Sequence, residues 1–256
     1  MKKKIIFWLL SFLLFLIYAT INGCNKQDEE VKSNIIFNPS VNYGTLKDQD
    51  GYTYKTVTIG TQTWMAENLK TTKYNDGNPI PNLTDNSLWD NDTKGAYCWY
   101  LNDTVNKFTY GALYNWYAVN TGKLAPAGWH ISTDEEWTIL KNYLIANGFN
   151  YDGTKEGYKF AKSLCSKTSW ALSDEVGSPG AAPENNNNTG FSALPGGFRG
   201  FGSFSFIGII GEWWSSLNED VNNVCYQGLY YNARGVARGW DDLNKKSGFS
   251  VRCVKD

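Results

Sequence analysis

Five cysteines, one histidine and a late group of aromatic, basic and acidic residues are the side chains in this 256-residue sequence that could do covalent or ligand chemistry. Cys24 has the most specific setting: Ile21-Asn22-Gly23 precedes it, so a small residue stands directly before a cysteine at the end of an apolar segment. That is the form of a lipobox. Its thiolate takes a diacylglycerol, cleavage makes Cys24 the new N-terminus, and two or more acyl chains give stable membrane anchoring. Cys98, Cys165, Cys225 and Cys253 form an even set, which in an oxidising compartment makes them disulfide candidates without fixing their connectivity. A zinc site built from all four is disfavoured, because no close C-x-x-C pair is present.

The ligand-binding candidates are Arg199, Trp213, Trp214, Trp240, Asp241 and Asp242, which the late loops should gather. Arg199 can offer a bidentate fork, and the indole rings offer a stacking surface. Packing competes for the tryptophan pair, because residues 190–216 hold seven glycines and five phenylalanines around it. Trp89-Asp90-Asn91-Asp92 could supply oxygen ligands to Ca²⁺ or stack on a sugar, and Asp48-Gln49-Asp50-Gly51 opens like a calcium loop. A solvated loop and an Asp-stabilised turn are the simpler accounts. No cofactor and no metal site is therefore expected, with Ca²⁺ as the alternative. His130 has no second histidine and no nucleophile motif beside it, so a hydrogen-bonding structural role is expected.

The elements that must position these groups can be read in order. Lys2, Lys3 and Lys4 precede an apolar run from Ile5 to Tyr18, a signal peptide over residues 1–23 that is too short for a permanent span. Residues 24–44 read as the lipidated cysteine and a flexible linker, and 45–256 as one domain with enough chain for a sizeable core. Lys55 to Ile59 and Gln62 to Leu69 predict a hairpin around Gly60. Ser132 with Glu135, and Thr133 with Glu136, stand at capping-box spacing ahead of Trp137, Leu140 and Leu144. A helix ending at Gly148 is predicted there, with a second around residues 156–165. Residues 74–95 and 173–189 read as loops, 225–231 with 235–240 as a hairpin, and 248–254 as a closing strand. A net charge of -1 gives no basic footprint, so no nucleic-acid partner is expected.

Six segments in order carry a family resemblance: Trp64 to Leu69, Gly111 to Val119, Gly128-Trp129-His130, Gly190 to Gly197, Trp213 to Ser216, and Gly248 to Cys253. Together they resemble the Fibrobacter succinogenes major paralogous domain from about residue 46 onward, and the acidic run Asp28-Glu29-Glu30 after Cys24 resembles the export signal of surface lipoproteins in Bacteroidota. The domain resembles, more distantly, the formylglycine-generating-enzyme and C-type-lectin type of fold. The resemblance implies an α+β, C-type-lectin-like unit: a small twisted antiparallel sheet, one or two helices and long loops. The copper-holding cysteine pair of the enzyme has no counterpart here, and neither do the late Glu-Pro-Asn and Trp-Asn-Asp ligands of calcium-dependent lectins. The family's motif carries cysteine at Ala125, so its disulfide pattern would be altered in this chain.

These readings lead to an outer-membrane, surface-exposed lipoprotein that is not an enzyme. Its partners would be the membrane, through Cys24, and a glycan or protein ligand. A structural cell-envelope component is the alternative, and an oxidase of the formylglycine-generating type the more remote one.

Overall fold

A computed structural model of the chain describes residue 33 and residues 35–200, 202–216, 224–240 and 245–256. Residues 1–23, expected as a signal peptide, and Cys24, Asp241 and Asp242 lie outside the described residues. No described helix is long and apolar enough to cross a membrane.

The domain opens with β1 (Gly44–Lys47), β2 (Thr53–Ile59) and β3 (Gln62–Met65). The β2–β3 hairpin turns at Gly60, which has φ +64°, and a Cβ there would come within 2.7 Å of the Tyr143 ring. A short α1 (Asn86–Asn91), β4 (Tyr97–Cys98), α2 (Asn106–Tyr110), β5 (Leu113–Tyr114) and α3 (Trp116–Val119) follow. Next come β6 (Trp129–Ile131), the long α4 (Asp134–Ala146) and the single turn α5 (Ala161–Leu164). The chain finishes with β7 (Gly196–Gly200), β8 (Ser203–Ile207), β9 (Ile210–Ser215), β10 (Cys225–Tyr230), β11 (Ala237–Trp240) and β12 (Cys253–Lys255).

Among the described residues the architecture is mixed α and β, mostly sheet, with few helices and no closed barrel. One sheet runs β1-β2-β3-β12-β6, a second runs β11-β10-β9-β7-β8, and β4 pairs with β5 in a small ribbon. The first is antiparallel throughout, whereas β7 lies parallel to β9 in the second. The expected single small antiparallel sheet is thus replaced by two five-stranded ones. Residues 248–250 form the seam between them, bridging Gly248 to Arg199, Phe249 to Tyr114 and Ser250 to Trp213.

Helix α4 forms as its sequence demands. The Thr133 hydroxyl accepts from the Glu136 amide while the Glu136 carboxylate accepts from the Thr133 amide, a closed capping box. Of the two boxes the spacing allowed, the one at Thr133 is used. Trp137, Leu140 and Leu144 are buried. Asp134, in the first turn, accepts both arms of the Arg238 fork at 2.6 Å and the Gln227 amide at 2.9 Å, which fastens the helix to β10 and β11.

Successive strand residues point to opposite faces, and this explains the Trp213-Trp214 pair. Trp213 packs into one core against Trp137, with ring centroids 6.2 Å apart, beside Trp64 and Phe191. Trp214 enters the other core against Trp116 at 5.4 Å and Phe249 at 4.5 Å. Both faces of β9 are covered, so neither ring reaches solvent.

Four sequence expectations are corrected here. The linker ends earlier than residue 44: Ile35 is buried, and Phe37, Val41 and Tyr43 pack on the core. Val41 and Tyr43 lie over Gly190, whose φ is +80° and where a Cβ would come within 2.8 Å of both. The helix expected at residues 156–165 shrinks to α5, because Gly157 adopts φ +73° and Tyr158 turns outward. Trp89, expected in a solvated loop, is fully buried in α1 and donates its indole N–H to the Lys246 carbonyl at 2.6 Å, while Asp85 caps that helix and Asp92 accepts from Gly95 and Asn115. That leaves the ring no face for a sugar.

The fourth correction concerns the cysteines. Cys98, Cys165, Cys225 and Cys253 are all free thiols, and all are buried. Burial pushes the Cys98 thiol up to about 12 and the Cys225 thiol up to about 11, the Asp134 carboxylate adding to the latter. Cys165 and Cys253 are raised by burial as well. Thiols so far from ionising are poor nucleophiles, and they act as small apolar core groups.

Asp48 and Asp50 take the turn role. Asp48 accepts from the amides of Asp50 and Tyr52 and from the Tyr54 hydroxyl, and Asp50 accepts from Thr71 and Thr72. No cluster of His, Cys, Asp or Glu with metal-holding geometry occurs among the described residues.

Candidate functional site

The side chains singled out for ligand contact are drawn inward. Arg199 is fully buried, donating to the carbonyls of Leu83 and Thr84 and to Asn86 Oδ1, with its guanidinium 4.5 Å from the Trp89 ring centre. Its fork holds α1 and the preceding loop against β7. Trp213 donates to Asn68 Oδ1 at 2.9 Å and Trp214 to the Tyr114 carbonyl at 2.6 Å, so the polar edges of both rings are taken. These three residues build the core and present nothing to a ligand. Trp240 lies on β11 in register with Cys225.

A different arrangement appears where β6 runs into α4. A cleft of about 580 Å³ opens there, lined by Trp129, His130, Thr133, Glu135, Glu136 and Ile139, among others. It lies within the ~300–1,000 Å³ range usual for small-molecule sites. Strand β6 presents Trp129 and His130 because it is an edge strand, paired with β12 on one side only. The first two turns of α4 present Glu135 and Ile139, both exposed, four residues apart on one helix face. The cleft thus joins a half-buried indole, an exposed aliphatic side chain and two carboxylates.

His130 sits in the wall of this cleft with both ring nitrogens engaged. Nδ1 lies 2.7 Å from Asp256 Oδ1, and Nε2 lies 2.7 Å from Glu136 Oε1. Two carboxylate acceptors require two N–H donors, which only the imidazolium has. Burial works against the charge, but the bonds to Asp256 and Glu136 outweigh it and hold the imidazole above its usual value. The expected structural role for His130 is what the geometry displays: it ties the end of the β12 strand to the cap of α4. Neighbouring hydroxyls have structural partners too, Thr133 in the capping box and Ser216 on the Ile131 carbonyl.

This clamp has a pH signature. A histidine whose folded value is raised contributes stability that is complete below its unfolded value, about 6.5, and is lost as pH rises through the folded value. Solvent reaches the ring, so the effect is expected to be about 1 kcal/mol or less. Urea midpoints taken between mildly acidic and mildly alkaline pH should fall with rising pH in the native protein, and this decline should flatten in His130→Gln. An unchanged slope in the variant would show that the clamp contributes nothing.

The sequence held the signal for this site in Gly128-Trp129-His130 directly before a capping box. What it hid was that β6 would be an edge strand, leaving Trp129 half open while Trp213 and Trp214 are enclosed.

A family model described as the Fibrobacter succinogenes major domain matches residues 57–255. No curated protein and no solved structure matched the chain. The matched span runs from within β2 to the end of β12 and so takes in the second sheet, the first sheet apart from β1 and the start of β2, the seam and the cleft. The chain belongs to the Fibrobacter succinogenes major domain family.

Proposed function

We propose that this protein is a lipid-anchored, surface-exposed, non-catalytic binding module whose ligand is a glycan seated in the cleft beside Trp129. The observation that carries the proposal is the joint placement of the half-buried Trp129 indole and the exposed Glu135 carboxylate in the lining of one cleft. A pyranose presents an apolar C–H face to a ring and hydroxyls to a carboxylate, and this pairing meets both. The full engagement of the His130 ring nitrogens favours binding over general base catalysis. Four buried thiols in separate surroundings likewise favour binding over thiol-based oxidase chemistry. Anchoring rests on the lipobox at Cys24 and surface exposure on the acidic run behind it.

The test is a polysaccharide pull-down and glycan array on the native protein beside Trp129→Ala and Glu135→Gln. Binding that drops at least about tenfold in Trp129→Ala, with the fold retained by circular dichroism, is the expected result. Absence of glycan binding by the folded native protein would overturn the reading. Cys24→Ser should move the protein from the detergent-rich to the aqueous phase, and unchanged partitioning would remove the anchor.

A further inference from the structure

The far end of α4 carries a second, separate bowl that the cleft does not explain. It has a volume of about 360 Å³ and is lined by Asn147, Phe149, Tyr151, Lys162, Asn185 and Asn188, among others. Helix α4 has 13 residues and is therefore about 20 Å long, with the Trp129 cleft at its start and this bowl just past its end.

The bowl's chemistry is amide and aromatic. Asn147, Asn185 and Asn188 are all exposed. Asn147 donates Nδ2 to the Tyr143 carbonyl and Asn185 donates Nδ2 to Glu184, so each still offers its Oδ1 as an acceptor. Lys162 gives two of its three ammonium donors to the carbonyls of Ala181 and Ala182. Asp152 is likewise occupied by Lys159 at 2.7 Å. What remains for a ligand is a ring of neutral amides around aromatic surface, which suits an uncharged polyhydroxylated molecule.

The aromatic member is fixed in advance. Tyr151 is 38 % exposed, yet its ring lies against Gly177, where a Cβ would come within 2.1 Å of it. The Arg234 guanidinium sits 5.5 Å from the ring centre and is itself paired with Glu175. A ring so held loses little freedom on contact, which lowers the entropic cost of a ligand touching its exposed part. Asn150 fixes the loop below, accepting from the Lys159 amide and donating to the carbonyls of Thr154 and Glu156.

We propose that this bowl, formed by Asn147, Tyr151, Asn185 and Asn188 past the end of α4, is a binding site for a neutral oligosaccharide, independent of the Trp129 cleft. Planar amides bridge vicinal hydroxyls while the exposed part of the tyrosine lines the apolar side of the bowl. No tryptophan lines it, so its occupancy leaves indole fluorescence unchanged, whereas occupancy of the Trp129 cleft alters it.

The test is an amide chemical-shift titration of the ¹⁵N-labelled native protein with cello-, xylo-, manno- and chito-tetraose, run beside indole fluorescence. The expected result is that at least one of the four shifts the amides of residues 147–151, 185 and 188, and that Asn188→Ala and Tyr151→Ala each weaken this binding about tenfold or more while Trp129→Ala leaves it intact. Shifts confined to residues 129–139, or no shift with any of the four sugars, would overturn the proposal. Binding unaltered in both Asn188→Ala and Tyr151→Ala would overturn it too. Shifts at 147–151 without a fluorescence change would uphold this site while counting against the cleft.

Discussion

Replacing Trp213 with alanine is expected to remove about 3–5 kcal/mol of stability, the usual cost of deleting a fully buried indole. The ring is 0 % exposed and meets Trp137, while its N–H is held by Asn68 Oδ1 at 2.9 Å. Gly211 makes room for it: a Cβ there would come within 2.5 Å of the indole. Against the ~5–15 kcal/mol typical of a whole domain, the loss is large. Trp213→Phe keeps part of the packing and gives up the hydrogen bond, so a loss of about 1–3 kcal/mol is expected. Denaturant midpoints for the three proteins check the order. The same variants test the role of the ring: Trp213→Phe should leave glycan affinity unaltered, because the indole faces the core. A loss below about 1 kcal/mol in Trp213→Ala would contradict the packing described here.

How much of this was legible in the sequence depended on how local the cause was. The capped helix was readable because Thr133, Glu136, Trp137, Leu140 and Leu144 specify its start and its buried face within a dozen residues. The hairpins were readable for the same reason: Gly60 and the alternating β2 residues are neighbours in the chain. The opposed faces of Trp213 and Trp214 were not, since burying both requires a layer on each side of β9, supplied by residues as distant as Trp64 and Phe249. Arg199 looked like a ligand contact because its acceptors, Leu83 and Thr84, lie more than a hundred residues away. The cysteines looked like a disulfide set on compartment and parity alone, yet each is enclosed in its own surroundings. The candidate cleft shared that difficulty: Trp129 is open only because β6 ends up at a sheet edge.

The second large effect is expected at Arg252, which lies within the closing Gly248-to-Cys253 segment but had no role assigned to it from the sequence. Its side chain is fully buried near β12, and its neighbours answer it with neutral oxygens: Asn68 Oδ1 at 2.9 Å, the carbonyls of Met65 at 2.9 Å and Ser192 at 3.0 Å, and the Phe191 carbonyl. The guanidinium also stacks 4.5 Å from the Phe191 ring centre. Burial brings its value down to about 9, with the Glu67 carboxylate pulling the other way, so it stays charged at neutral pH. One planar fork therefore ties three distant pieces together: the end of β3, the loop before β7 and the final strand. Arg252→Met fits the volume but takes the guanidinium from three buried carbonyls, Asn68 Oδ1 keeping the Trp213 N–H, and a loss of about 3–5 kcal/mol is expected. Arg252→Lys keeps the charge without the fork; a single ammonium reaches fewer of the four oxygens, so a loss of about 2 kcal/mol or more should remain. Asn68 is the shared acceptor for Arg252 and Trp213, and its amide donates to the Tyr110 carbonyl at 2.8 Å and to Ser250 at 3.2 Å. A double-mutant cycle between Asn68→Ala and Arg252→Met should therefore show a coupling of about 0.5–3 kcal/mol. Additive losses would mean that the two residues act separately, and a near-neutral Arg252→Met would mean that the seam is held by packing alone.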